Sequence, residues 1–125
     1  MRIRTGTDII EISRVKESIE STNKKFCERV YTEKEREYCE SKKMQKYQHY
    51  AARFSAKEAV FKAISNKLKS KYDISWTDIE IKNDENGKPM FFIDKLNKCD
   101  IISKDISMSH IKDYAIASVS ILLEN

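Results

Sequence analysis

This sequence lacks long apolar runs, a recognisable leader, internal repeats and low-complexity tracts. No stretch is long and apolar enough to cross a membrane, so we expect no membrane partner. The chain begins directly in a strand-like pattern, without the charged region, apolar region and cleavage site of a secretory signal. We therefore expect a soluble cytoplasmic protein.

Cysteine is scarce and shows no pairing pattern. Cys27, Cys39 and Cys99 are odd in number, widely spaced and never arranged as CxxC. This spacing argues against a disulfide framework and against a zinc cage. We expect reduced, partly buried thiols.

An excess of one charge is also missing. The 24 Lys and Arg residues exceed the 20 Asp and Glu residues by four. This mild basic excess favours acidic or phosphorylated partners and does not require nucleic acid. A length of 125 residues suits one domain with a hydrophobic core, which we place at residues 1–125.

The first half of the chain predicts one strand followed by helices. Residues 2–12 alternate as a strand does. Ser13 is the expected N-cap of a short helix, and Thr32 with Glu35 forms a capping box that opens another. A long helix is predicted from about residue 46 to residue 69, ending in a lysine-rich stretch.

The second half predicts β-structure. Asn86 and Gly87 precede an apolar run, which is a strong hairpin signal because glycine tolerates a positive φ, and the only proline, Pro89, closes the turn. The whole chain is thus an α+β protein. Strands are predicted over residues 76–82, 90–93, 105–110 and 114–122.

The long helix is apolar on two opposite sides, which predicts that it is sandwiched inside the fold. Glu58 and Lys62 project from one seam between these sides, and Arg53 and Lys57 project from the other, at the edge of the core. Burial there strengthens ionic contacts. The two apolar sides are an aromatic stripe and a small-residue stripe, formed by Tyr47, Phe54 and Phe61 and by Ala52, Ala56, Ala59 and Ala63.

Two carboxylates on separate elements suggest a metal site. Asp8 on the first strand and Glu58 on the long helix are the ligands that a hard cation such as magnesium prefers. Lys62, one turn beyond Glu58, would neutralise phosphate charge that the metal leaves uncovered. The alternatives are an ordinary helix pair of Glu58 with Lys62, contributing a few tenths of a kcal/mol, and a turn or cap role for Asp8.

Histidine and basic residues offer further candidates. His110 ends a strand before a tight turn, a common place for binding groups, and would hydrogen-bond phosphate. The alternative is an edge-strand imidazole without a role, and His49, inside the long helix, has less to recommend it. Along the short helices, a basic surface with an apolar anchor, or simply a solvated face, is formed by Arg14, Lys25, Phe26 and Arg29.

Several motifs occur in a fixed order along almost the whole chain: Gly6-Thr7-Asp8, Phe26 through Glu35, Arg53-Phe54-Ser55-Ala56-Lys57-Glu58-Ala59 with Lys62-Ala63, Trp76 through Ile81, Asn86-Gly87-Lys88-Pro89 and Ser107-Met108-Ser109-His110. Taken together, they resemble the holo-acyl-carrier-protein synthase family of 4′-phosphopantetheinyl transferases. The resemblance implies that family's fold, a long central helix packed against a small, mostly antiparallel sheet.

The resemblance also implies an activity. Members transfer the phosphopantetheine arm of coenzyme A to a serine of apo acyl carrier protein, release adenosine 3′,5′-bisphosphate, require magnesium and support fatty acid biosynthesis. For short members, the resemblance implies homotrimers with active sites between protomers. We therefore expect coenzyme A and acyl carrier protein as the partners of this chain.

Residue roles follow from the resemblance position by position. Asp8 and Glu58 hold the metal, Lys62 stabilises the charge of the breaking bond, and Glu58 is our candidate to accept the serine proton directly or through a metal-bound water. Coenzyme A contacts are expected from Arg53, Lys62, Asn86, Gly87, Pro89 and His110, the turn reaching the nucleotide from a neighbouring subunit. Docking of the carrier protein is expected from Arg14, Lys25, Phe26 and Arg29.

One departure concerns the segment after Lys62, where the family commonly has a glycine-rich turn and this chain has Ser65-Asn66-Lys67-Leu68. Lysines at 67, 69 and 71 would replace backbone contacts electrostatically. Two competing hypotheses remain: a small basic module that binds RNA, and a catalytically silent trimeric scaffold that binds only the carrier protein.

Overall fold

A single long helix packs against an antiparallel three-stranded sheet and against a separate two-stranded hairpin. This architecture comes from a computed structural model, which describes residues 1–65, 74–94 and 100–124. In chain order the elements are β1 (Arg2–Glu11), α1 (Ile12–Ser21), α2 (Lys25–Val30), α3 (Glu33–Glu40), α4 (Lys46–Ile64), β2 (Ile79–Asn83), β3 (Pro89–Ile93), β4 (Ile101–His110) and β5 (Tyr114–Leu123).

The larger sheet has the strand order β1-β5-β4, with both pairs antiparallel. In its register, Gly6 lies opposite Val119 and Asp8 lies opposite Ala117. The inner face of β5 is buried, whereas the outer face of the sheet is open and carries exposed Ile3 and Ile9. The alternation predicted from the sequence for β1 and β5 is therefore confirmed.

The small-residue stripe of α4 packs in the core, as predicted. Ala52, Ala56, Ala59 and Ala63 are all buried. A Cβ atom on Gly6 would lie only 1.9 Å from the carbonyl oxygen of Ala59, so β1 and α4 meet at backbone distance. Small residues on both elements are what permit this approach.

The opposite side of α4 differs from the prediction. Phe54 and Phe61 are only half-buried, whereas Arg53 and Lys57, expected at the edge of the core, are 2% and 0% exposed. The physical reason for Lys57 is a partner: its ammonium lies 2.6 Å from a carboxylate oxygen of Glu35, which is itself buried. A paired charge tolerates burial that an isolated one does not.

Several element boundaries also differ. α1 begins at Ile12 with Glu11 as its N-cap, so the prediction of Ser13 is wrong; the N–H of Ile12 donates to the carbonyl oxygen of Asp113 instead. Residues 76–78 form a 3-10 turn rather than strand, because Asp78 accepts hydrogen bonds from Ser75. The end predicted for the long helix, at residue 69, lies outside the described residues.

The capping box and the hairpin are confirmed. The hydroxyl of Thr32 accepts from the N–H of Glu35, and Glu35 accepts from the N–H of Thr32. Gly87 has a φ of 84° in the turn between β2 and β3. These two signals depend on residues close together in the chain, which is why the sequence predicts them well.

Two of the three cysteines, Cys27 and Cys39, are buried free thiols. Burial is the main cause that raises the pKa of Cys39 to about 12. Cys99 lies outside the described residues. Among the helices that are described, none is both long and apolar enough to span a membrane.

Candidate active site

Asp8 and Glu58, the two predicted metal ligands, line the same surface cavity, whose volume is about 380 Å³. Asp8 belongs to β1 and Glu58 to α4. The hydroxyl of Ser55 donates to the carbonyl oxygen of Asp8 at 2.7 Å, which ties the strand to the helix at this point. The close approach of Gly6 to Ala59 also holds β1 against α4, near Asp8 and Glu58 in the chain.

The charges in this cavity are coupled. Burial raises the pKa of Glu58 above its ordinary value, the nearby charge of Asp8 raises it further, and Lys62 lowers it. The Lys62 ammonium lies 3.3 Å from Asp8 and donates to the carbonyl oxygen of Thr7 at 2.8 Å. The Lys62 side chain is still 54% exposed, so its charge remains open to a ligand.

This donor set fits a magnesium ion better than a transition metal. A divalent cation would relieve the repulsion between the two carboxylates. Magnesium suits such a pair, because it keeps several waters and needs few protein ligands. Across residues 1–65, 74–94 and 100–124, no group of three or more His, Cys, Asp or Glu side chains is placed to hold a metal. Two carboxylates therefore suit a hard cation whose remaining ligands are waters and substrate oxygens.

Part of the predicted docking surface borders the same cavity. Arg14 and Phe26 line it together with Phe54, and the Phe26 and Phe54 rings stack with centroids 6.0 Å apart. Lys25 and Arg29 are exposed on α2 but do not line the cavity. An aromatic surface thus leads from α2 to the two carboxylates.

Arg53 and His110 meet in a different place, around Tyr38 and His49. The Arg53 guanidinium lies 4.0 Å from the centroid of the Tyr38 ring. The His49 ring lies 5.5 Å from that of Tyr38 and 6.0 Å from that of His110, both edge to face. We call Tyr38, Lys42, His49, Arg53 and His110 the cationic cluster; none of them lines the Asp8–Glu58 cavity.

Arg53 is unusual within this cluster. No carboxylate of the described residues lies within salt-bridge distance of its guanidinium, although the side chain is 2% exposed. Its Nε atom is buried without a hydrogen-bond partner. A buried cation without a counterion is costly, and an anionic ligand would supply the missing partner.

The predicted nucleotide turn lies at a third location. Asp84 organises it by accepting from the N–H groups of Asn86 and Lys88, and Asn86 and Gly87 are exposed. The Lys88 ammonium lies 2.8 Å from Asp105 on β4, which joins the turn to the larger sheet. Pro89 opens β3, and none of these residues lines the Asp8–Glu58 cavity.

Sequence reasoning missed several groups that shape these sites. Glu35 was recognised only as a cap, yet its second oxygen accepts from the N–H of Ile81 and its first pairs with Lys57. Lys57 also donates to the carbonyl oxygens of Val30 and Trp76. No local sequence pattern predicts these contacts of Glu35 and Lys57, because the two partners of each contact are far apart in the chain.

Comparisons with known proteins agree with the motifs. The family model of the 4′-phosphopantetheinyl transferase superfamily matches residues 4–119. The chain is 44% identical over 131 residues to a holo-[acyl-carrier-protein] synthase of Ruminiclostridium cellulolyticum, covering 98% of this chain and 94% of the relative. It is 43% identical over 119 residues to the synthase of Protochlamydia amoebophila, covering 94% and 95%.

Solved structures give the same result. The synthase of Helicobacter pylori in complex with coenzyme A has a TM-score of 0.81 at 30% identity, covering 94% of this chain and 99% of that one. The Bacillus anthracis synthase, in complex with CoA (3′,5′-ADP), has a TM-score of 0.75 at 32% identity and 94% coverage of both chains. The fold predicted from the resemblance is confirmed, and the chain belongs to the holo-acyl-carrier-protein synthases of the 4′-phosphopantetheinyl transferase superfamily.

Proposed function

We propose that this protein transfers the 4′-phosphopantetheine arm of coenzyme A to a serine hydroxyl of apo acyl carrier protein. The single observation that carries the proposal is the cavity that Asp8 and Glu58 both line, with the Lys62 ammonium 3.3 Å from Asp8. A diphosphate substrate needs positive charge at this point, which the Lys62 ammonium and a divalent cation held by the two carboxylates would supply. Arg14 and Phe26 at the rim offer a basic and apolar surface to an acidic protein.

Asp8 and Glu58 would hold magnesium in this cavity. When bound, the cation would neutralise charge on the diphosphate of coenzyme A and make the phosphorus easier to attack. The relief of the repulsion that raises the pKa of Glu58 supports this assignment.

The chain's own groups account for the remaining chemistry. The serine oxygen of the carrier protein attacks the phosphorus, the bond to adenosine 3′,5′-bisphosphate breaks, and the serine proton passes to a base. Glu58 is suited to accept this proton, because its carboxylate lines the cavity and its partial burial leaves it less solvated than an ordinary glutamate. Lys62 places its exposed ammonium where it can stabilise charge developing on the leaving phosphate.

The cationic cluster would bind another part of coenzyme A. Besides its diphosphate, coenzyme A carries one phosphate monoester on the ribose. The buried guanidinium of Arg53, whose Nε has no hydrogen-bond partner, suits such a group, and His110 joins the same cluster through its ring contact with His49. The exposed turn at Asn86, Gly87 and Pro89 would contact the nucleotide end.

A homotrimer would bring these surfaces together. Arg53 and Glu58 are five residues apart on α4, so they project roughly 140° apart around the helix axis. A single protomer therefore presents the two clusters in different directions, whereas neighbouring protomers can share one ligand. The open outer face of the larger sheet supports such contacts with exposed Ile3, Ile9 and Ile116.

The test is transfer to purified apo acyl carrier protein, followed by intact-protein mass spectrometry. Wild-type protein with coenzyme A and magnesium should add the mass of phosphopantetheine, and a chelator should abolish the addition. Asp8→Ala and Glu58→Ala should remove it, whereas Glu11→Ala, an exposed carboxylate at the end of β1, should not. Wild-type turnover in both cavity variants would refute the site, and binding of carrier protein without any mass gain would favour a silent scaffold.

A further inference from the structure

His49 occupies the centre of the cationic cluster. Its ring meets the ring of Tyr38 edge to face at 78° and that of His110 at 62°. It is half-buried on the first turns of α4, one helical turn before Arg53. Its ring contacts with His110, a proposed coenzyme A contact, and with Tyr38, which the buried Arg53 also contacts, set it apart from an ordinary surface histidine.

The charged groups that act on His49 are all positive. They come from its own helix through Arg53, from the segment after α3 through Lys42, and from β4 through His110. The Lys42 ammonium also lies 4.7 Å from the Tyr38 ring centroid, so Lys42 and Arg53 both contact the same aromatic ring. Burial first, and then these positive charges, lower the pKa of His49 below its ordinary value of 6.5.

These facts make His49 neutral in the free protein near pH 7 and sensitive to an arriving anion. A phosphate dianion favours the charged form of a neighbouring imidazole. Protonation also turns both ring nitrogens into hydrogen-bond donors, which suits an acceptor-only phosphate. The same ligand would offset the repulsion that Lys42 and Arg53 exert on the protonated form of His49.

We propose that His49 is a further binding residue for coenzyme A, taking up a proton from solvent when the phosphate monoester enters the cationic cluster. The inference rests on the function proposed above. Binding of coenzyme A is then linked to pH and tightens as the pH falls from 8.0 to 6.5. The phosphate monoester itself has a second pKa of about 6 and is half protonated there, which sets the lower end of the useful window.

Calorimetry of coenzyme A binding at pH 6.5 and pH 8.0 tests the linkage. For one full proton the affinity of the wild-type protein changes by up to about tenfold per pH unit. His49→Phe, which keeps a ring beside Tyr38, should bind coenzyme A with a flatter pH dependence. Dephospho-coenzyme A, which lacks the monoester, should show no difference between wild type and His49→Phe.

Nuclear magnetic resonance gives a readout that does not depend on turnover. The chain has two histidines, so His49→Phe assigns both imidazole signals. Saturation with adenosine 3′,5′-bisphosphate should raise the titration midpoint of His49. If His49→Phe does not fold, His49→Gln serves the same comparison.

The outcomes separate the two proposals. Suppose that the wild-type protein transfers phosphopantetheine, that its coenzyme A affinity has the same pH slope as that of His49→Phe, and that the ligand leaves the titration midpoint of His49 unmoved. The His49 inference is then overturned, while the proposed function stands. If the wild-type protein neither binds coenzyme A nor modifies the carrier protein across this pH range, the proposed function fails, and the His49 inference fails with it.

Discussion

Gly6→Ala probes the contact on which the Asp8–Glu58 geometry depends. Gly6 lies on β1 two residues before Asp8, and its backbone faces Ala59, the neighbour of Glu58 on α4. The φ of Gly6 lies outside the left-handed region, so alanine is allowed there on conformational grounds. The effect of the substitution is therefore steric.

The size of the effect follows from the distances. The new methyl group would lie 1.9 Å from the carbonyl oxygen of Ala59 and 2.8 Å from its carbonyl carbon, where ordinary contact begins at 3.4 Å. Because these are backbone atoms, no side-chain rotation relieves the overlap, and β1 must move from α4 by about 1.5 Å. We expect the free energy of unfolding to fall by about 3 kcal/mol, the upper part of the range for overpacked cores.

The same movement displaces Asp8 relative to Glu58. A shift of about 1 Å in a positioned group can cost on the order of 100-fold in rate, so we expect a loss of this size in kcat/KM for carrier-protein modification. Urea unfolding followed by circular dichroism measures stability, at one protein concentration for all variants. Glu37→Ala, at an exposed position on α3 away from the sheet, is the control. A Gly6→Ala variant with the stability and kcat/KM of the control would refute the backbone contact.

Two further substitutions test the buried charges. Lys57→Met should lower the free energy of unfolding by about 3 to 5 kcal/mol in urea titrations, because it leaves the buried Glu35 carboxylate without its cation. Lys46→Met, in the more exposed pair with Glu40, should cost less than about 1 kcal/mol. Equal costs would contradict the stabilising role of the buried Lys57–Glu35 pair. Glu58 binds its proton more tightly in the folded than in the unfolded state, so its contribution to stability is lost as the pH rises from 4.5 through the raised pKa. Without divalent cations at pH 7, Glu58→Gln should melt no lower than wild type while losing transfer, and magnesium should raise the melting temperature of wild type alone; a lower melting temperature of the variant without metal would contradict the raised pKa.

Local patterns predicted most elements of this fold. The alternation of β1, the capping box at Thr32, the start of α4 and the turn at Gly87 each depend on residues within a few positions of one another. The errors arose where a distant residue decides the outcome. The N–H of Ile12 donates to the carbonyl oxygen of Asp113, and β1 ends at Glu11, one residue earlier than the alternation suggests.

The candidate site was predicted by residue type and motif rather than by geometry. The sequence alone named Asp8 and Glu58 but could not show that they line one cavity, since that cavity lies between the first strand and the fourth helix. Ser55 had no predicted role, although its hydroxyl holds the backbone of Asp8. His49 was set aside because nothing in its neighbourhood along the chain indicates the cluster around Tyr38.

Arg53 and Lys57 show why helix phase alone does not reveal function. They lie one turn apart on the same side of α4, both buried, and the sequence treats them alike. Lys57 finds the carboxylate of Glu35, 22 positions earlier in the chain, and two backbone carbonyl oxygens, so its charge is satisfied within the fold. Arg53 contacts an aromatic ring and no carboxylate among the described residues, which is why we propose it as a contact for an anionic ligand. A buried cation is therefore assigned to stability or to binding by its partner, which only the tertiary structure supplies.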